Sequence, residues 1–256
     1  MTPKEKCEQM VKLAPSILAL ANRDIDMFVR RLWRAKRFPT FIVTPEIEVT
    51  GMGRWRMVIE GESKSSVKKG VACIKAYQTF HVTHSKNPLN NGTGIYLFNA
   101  DDYGNVQCQE FPPHYFNRLR ERLIEPKGIV QPDFHHLVVE MMRMHGLSMD
   151  VVIKGLTVKK GEDGKYDITR DHSIDRKEGY ENFISYHKEG VSLGVASGGK
   201  SYCNFTTFVP NGLLREGQAV MQRRMLADIR KHEYRKQGDP FATYDKTEFL
   251  DKDLDY

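Results

Sequence analysis

The chain is expected to fold as a single α+β domain, with a largely antiparallel sheet packed against several helices. Helical periodicity is concentrated near both ends and in the middle of the chain. Between those regions lie short β-branched and aromatic runs joined by glycine- and asparagine-rich turns, the pattern of hairpins. Strands and helices do not alternate one by one, as βαβ units would require. At 256 residues the sequence is long enough for a hydrophobic core that needs neither metal nor disulfide. Residues 1–236 are assigned to this domain, and 237–256 to an acidic C-terminal tail.

Ile17, Leu20, Ala21, Ile25, Phe28, Val29, Leu32 and Trp33 recur at three- and four-residue steps, which predicts a helix over 16–37 with Trp33 on its core side. Pro15 suits its first turn and Pro39 its end. Short strands follow at 41–43, 47–50 and 55–60, broken by Pro45, Gly51 and Gly53. Residues 66–76 read as a short helix, and 77–83 and 95–99 as strands around Asn90-Asn91-Gly92. A turn at 101–105 leads into a short strand at 106–109. Helices are expected at 113–124, closed by Pro126 and Gly128, and from 132 or 133 to 145, closed by Gly146. Leu156–Val158 and Tyr166–Ile168 flank Gly161-Glu162-Asp163-Gly164 as a hairpin, and the polar run 167–179 reads as a loop. Strands at 192–196 and 202–209 surround a glycine turn, and a last helix covers 213–236. No internal repeat is visible.

The sequence holds 39 Lys and Arg against 33 Asp and Glu, a formal net charge of +6. The positive charge is uneven. Residues 1–40 carry nine basic against four acidic side chains, and 213–236 seven against three, whereas 237–256 carry two against six. Basic terminal helices can follow a phosphate backbone, so RNA or another nucleic acid is the expected partner. No run of about 18 apolar residues occurs, so no membrane partner is expected, and the oligomeric state is left open. The four cysteines, Cys7, Cys73, Cys108 and Cys203, are too widely spaced for a CxxC pair or a zinc knuckle. Together with a polar first decapeptide, this makes a reducing, cytoplasmic location the expectation.

The chemistry-bearing segment is His114-Tyr115-Phe116-Asn117-Arg118-Leu119-Arg120-Glu121-Arg122. Steps of four bring His114, Arg118 and Arg122 onto one helix face, while Tyr115 and Leu119 face the core. A histidine can move a proton near neutral pH, and guanidiniums can grip a phosphate bidentately. These nine residues resemble the histidine–arginine helix of the small RelE-like or BrnT-like ribonuclease toxins. That resemblance implies a small antiparallel sheet packed against helices, and RNA cleavage with His114, Arg118 and Arg122 as catalytic positions. The resulting expectation is a basic nucleic-acid-directed protein, with a metal-independent ribonuclease using that His/Arg helix face as its specific form.

Two other classes stay open. His81, His84, His135 and His136, with Glu140 and His145 nearby, have the ligand types of a zinc or iron centre but no HExxH spacing, which would make the protein a metal-dependent enzyme. Asp167, Asp171, His172 and Asp175 lack the EF-hand grammar and read as a solvated loop. Met141, Met142, Met144 and Met149 read as core packing. Lys200-Ser201 precedes a strand rather than a helix, so it is no phosphate loop, and GxGxxG and GxSxG are absent. No cofactor and no metal ligand are therefore assigned. The remaining class is a non-enzymatic accessory or regulatory protein whose terminal helices bind a partner.

Overall fold

A computed structural model describes Glu5, Lys12, 27–28, 30–36, 38, 40–49, 53–69, 73–100, 106–128, 133–146, 149–153, 156–170, 180–197 and 202–238. Among the described residues there are twelve strands: β1 Thr40–Val43, β2 Ile47–Val49, β3 Gly53–Gly61, β4 Cys73–Val82, β5 Gly92–Ala100, β6 Val106–Phe111, β7 Met149–Val152, β8 Leu156–Lys160, β9 Tyr166–Arg170, β10 Tyr180–Tyr186, β11 Gly190–Ser197 and β12 Tyr202–Pro210. The helices are α1 Lys64–Lys68, α2 Pro113–Leu119, α3 Phe134–Gly146 and α4 Glu216–Gly238. Before β1, residues 27, 28 and 30–33 are helical, with Phe28 and Leu32 buried.

The main sheet runs β1-β3-β4-β5-β6-β12-β11-β10-β7, with β2 paired to β3, while β8 and β9 form a separate hairpin. Its neighbours are antiparallel except at the centre, where β6 and β12 run parallel with Cys108 opposite Tyr202 and Glu110 opposite Asn204. This is the expected α+β domain with one parallel seam. The seam joins two similar halves. β3-β4-β5-β6 is followed by α2, and β7-β10-β11-β12 is followed by α4. The repeat lies in topology and not in residue identity, so a sequence search for periodic similarity had nothing to find.

Strand alternation gives each half its own helix-bearing face. On one face Ile95, Leu97, Phe111, Phe205 and Phe208 pack with Tyr115, Phe116 and Leu119 of α2 and with Leu137, Val138, Met141, Met142 and Met144 of α3. On the other, Val191, Leu193 and Val209 pack with Met221 and Met225 of α4. In the first half this opposite face is also buried: Tyr96 lies against Phe80 with centroids 4.6 Å apart, and Phe98 against Trp55 at 5.1 Å. Across the seam Phe111 and Phe205 stack in parallel at 4.6 Å.

Local chemistry explains several element ends. Ser63, in extended backbone, accepts from the Ser66 amide at 3.1 Å and caps α1. The expected helix over 66–76 is therefore shorter and earlier. Its second part is the start of β4, where Ile74 and Lys75 pair with Ile59 and Val58 of β3. Pro113 opens α2, where a missing N–H costs nothing. The helix then widens into one π turn at Arg120–Ile124, tightens into a 3₁₀ turn at Glu125–Lys127, and ends at Gly128 in the left-handed region at φ 78°.

Other expectations need correcting. Trp33 is 51% exposed, and its indole N–H donates to the Val67 carbonyl at 2.8 Å. The ring needs an acceptor for that N–H, and the rim of α1 supplies one. Asp167–Arg170 belongs to β9 rather than to a loop. β7 and β10 carried too weak an alternation to be read as strands. Residues 171–179, with Asp171, His172 and Asp175, lie outside the described residues, as do Lys200, Ser201 and 239–256. Among the described residues no helix is long and apolar enough to cross a membrane.

The core has little tolerance on β11, next to the seam. A Cβ on Gly194 would sit 2.6 Å from both the Asn204 carbonyl oxygen and the Phe183 ring. Gly194→Ala should therefore destabilise the fold by about 1–3 kcal/mol, and Phe111→Ala by about 3–5 kcal/mol. Both are read as shifts in the urea midpoint at unchanged slope.

Candidate functional site

Helix α2 crosses the central strands, with its apolar side against β5 and β12. Tyr115, Phe116 and Leu119 are buried, which turns His114, Asn117 and Arg118 toward the half-exposed side. Of the expected site residues, the two arginines are each held by a separate contact. Arg118 Nη1 donates to Glu121 Oε2 at 2.7 Å. Arg122, inside the π turn, donates from Nη1 to the Phe208 carbonyl at 2.8 Å and so is tied to β12. The Asn117 amide donates to the Asn91 carbonyl at 3.3 Å, which fixes the loop before β5 against the helix. His114 Nδ1 is enclosed without a hydrogen-bond partner.

The three side chains feel one another. Burial holds His114 below the ordinary imidazole value, Arg118 and Arg122 push it down further, and Glu121 opposes them. The imidazole is thus neutral near pH 7 and can accept a proton beside two guanidiniums. A π turn in a short helix is itself an irregularity found often at functional positions. Here it carries Arg120 and Arg122. Arg120 Nε is also enclosed without a partner.

The histidines proposed as metal ligands are dispersed. His81 Nδ1 lies 3.0 Å from Thr93 Oγ1, whereas His84 and His136 are exposed. His135 Nδ1 meets the Tyr77 hydroxyl at 2.7 Å. Glu140, expected to share a face with His136, accepts from Arg143 at 2.7 Å. Among the described residues no three His, Cys, Asp or Glu side chains are grouped to hold a metal ion.

A second polar cluster was not foreseen. Ser192 and His187 are fully buried, as is Tyr115. His187 Nδ1 faces the Met144 carbonyl at 3.0 Å and Nε2 faces Ser192 Oγ at 2.9 Å. Because a carbonyl only accepts, Nδ1 carries the proton and Ser192 donates to Nε2. Ser192 Oγ then accepts from Tyr115, 2.9 Å away, and the Tyr115 oxygen accepts from His145 Nε2 at 3.0 Å. The Ser–His pair in this chain of bonds is fully buried, with the half-exposed His145 at the chain's end, and the bonds join α2, α3 and the β10–β11 hairpin. Gln222 of α4 extends it by donating to the His187 carbonyl at 2.6 Å and to Asn211 Oδ1 at 2.7 Å. Nothing in the spacing of Tyr115, His145, His187 and Ser192 could have announced it, since the four come from three separate regions of the chain.

Comparison with family models, with curated proteins and with solved structures finds no match to this chain.

The buried cluster makes stability depend on pH. Burial, with His187 and Lys75 adding to it, holds His145 well below its ordinary value near 6.5. The unfolded chain then binds more protons below that value, so the stabilisation is complete above about pH 6.5 and is lost as the pH falls. Urea midpoints should decline from neutral toward pH 5, and His145→Gln should flatten that decline. Ser192→Ala leaves Tyr115 and His187 without their shared partner and should cost about 1–3 kcal/mol at neutral pH.

Proposed function

We propose that the protein acts on nucleic acid, and that the His114/Arg118/Arg122 face of the α2 segment is a metal-independent ribonuclease site. What supports this reading is a half-buried His114 whose Nδ1 is enclosed without a partner, on a helix segment that also carries the anchored Arg118 and Arg122, whose charges lower its pKa. Such an arrangement offers a base next to groups that hold phosphate oxygens. Each arginine is anchored through one nitrogen, to Glu121 or to the Phe208 carbonyl, and a guanidinium has five N–H donors in all. Anchoring fixes the fork without exhausting it.

In the proposed reaction His114 takes the proton of a ribose 2′-hydroxyl. The O2′–P bond forms as the P–O5′ bond breaks, water protonates the departing 5′ oxygen, and a 2′,3′-cyclic phosphate remains. Arg118 and Arg122 stabilise the charge that develops on the phosphorane oxygens. The basic stretches 1–40 and 213–236 supply a sequence-independent attraction for the rest of the strand.

The same anchoring contacts favour a second reading, a non-enzymatic nucleic-acid-binding module. One N–H of each guanidinium is already engaged, and the carboxylate of Glu121 competes with phosphate at Arg118.

Incubation of the purified protein with mixed RNA in excess EDTA separates these readings. Cleavage should occur, RNA should be cut and the DNA counterpart left intact, and His114→Ala should slow cutting by about 100-fold or more. Activity as base should persist below the pH at which a free imidazole protonates, because the His114 value is lowered. Cleavage unchanged in His114→Ala overturns the site. Salt-sensitive RNA retention without cleavage supports the binding module instead.

A further inference from the structure

We propose that Trp33 is a stacking platform for an unpaired base, at the centre of a basic surface that binds single-stranded nucleic acid. It belongs to a different core cluster from the α2 face and goes beyond the ribonuclease reading. The helical segment before β1 is seated by Phe28 and Leu32, which pack with Ile59 of β3 and Val67 of α1. That packing sets two short segments side by side, and the Trp33 indole N–H closes the joint by donating to the Val67 carbonyl at 2.8 Å. Gly61 leaves the room: a Cβ there would sit 2.7 Å from Val67 Cγ2 and 3.5 Å from Leu32 Cδ2. An indole fixed at its N–H edge yet 51% exposed presents ring surface to whatever binds there.

Cations surround this ring. Arg30 lies three residues before Trp33 in the helix and so shares its flank, and Arg34 and Lys36 follow it. From α1, Lys68 and Lys69 come directly after the residue that accepts the indole bond, and Lys64 lies one turn earlier. All six are exposed, and among the described residues none is paired with a carboxylate. Glu62 is the one acid among the described residues of the two segments. A fixed aromatic ring among unpaired cations matches a strand whose bases are free to stack and whose phosphates repeat at every nucleotide. A membrane surface fits less well, because it asks for several apolar side chains exposed together. Met27, the other large exposed one in this segment, lies about 120° round the helix from Trp33. A duplex also fits less well, since its bases are already stacked on one another.

The test titrates oligothymidylate of about ten nucleotides into the full chain. This strand lacks the 2′-hydroxyl that the α2 reaction consumes, so it stays uncut and the result is independent of the ribonuclease reading. The sequence has two tryptophans and Trp55 is 1% exposed, so a change in indole fluorescence on binding reports Trp33. Saturable quenching is expected, with an affinity that falls as salt is added. Trp33→Ala should abolish the quenching and weaken binding, read from the anisotropy of a labelled strand, about tenfold. Arg30→Gln combined with Lys68→Gln, both at exposed positions, should leave the fold intact and lower the salt slope by about 1–2. A blunt DNA duplex should bind without quenching. Unchanged fluorescence, equal quenching by the duplex, or undiminished affinity in Trp33→Ala overturns the proposal. Quenching by polyglutamate or by anionic lipid vesicles at lower concentration than by the strand overturns it as well, and assigns the surface to a protein or a membrane.

Discussion

The parallel contact between β6 and β12 is the joint on which the molecule depends. Among the described residues three pairs are in register there, from Cys108 opposite Tyr202 to Glu110 opposite Asn204. So few ladder bonds would leave the two halves weakly attached. The Phe111–Phe205 stack continues the register one step further, and α2 lies across both β5 and β12 like a splint. Burial of aromatic surface, rather than backbone pairing, therefore carries most of the cohesion between halves.

The same splint sets the position of every polar group discussed for α2. Tyr115 points down into the seam and meets Ser192 on β11, whose cross-strand partner is Phe208. Phe208 in turn offers its carbonyl to Arg122. Two adjacent residues in one register row thus hold both ends of the α2 segment. Accommodating Arg122 over that carbonyl while Leu123 and Ile124 stay buried is compatible with the wider π turn seen there.

Much of this fold can be read from the residues, and the exceptions share a cause. Hairpins closed by glycine, such as β8–β9 and β11–β12, and helices with clear stops, such as α3 at Gly146, announce themselves locally. β5 shows no alternation because Ile95 and Leu97 bury on one side and Tyr96 and Phe98 on the other. Lys75 reads as a helical surface residue until its tertiary partner is known, for it pairs with Glu60 at 3.1 Å inside β4 and β3. The His114, Arg118 and Arg122 spacing was legible because it lies within one helix. The contact of Tyr77 with His135 was not, because a strand and a distant helix must first assemble.

The topology also bears on how the chain could have arisen and how it could be divided. Four antiparallel strands followed by a helix occur twice, with the two helices on opposite faces. Either half alone would present β6 or β12 as an open rim, with unpaired amides and carbonyls beside large aromatic side chains. Such a rim is a template for strand addition. Severed fragments would therefore tend to reassociate with each other or to pile into fibrils, and a split-reporter design would have to cut within a half, for instance at the Gly161–Gly164 turn, rather than between the two.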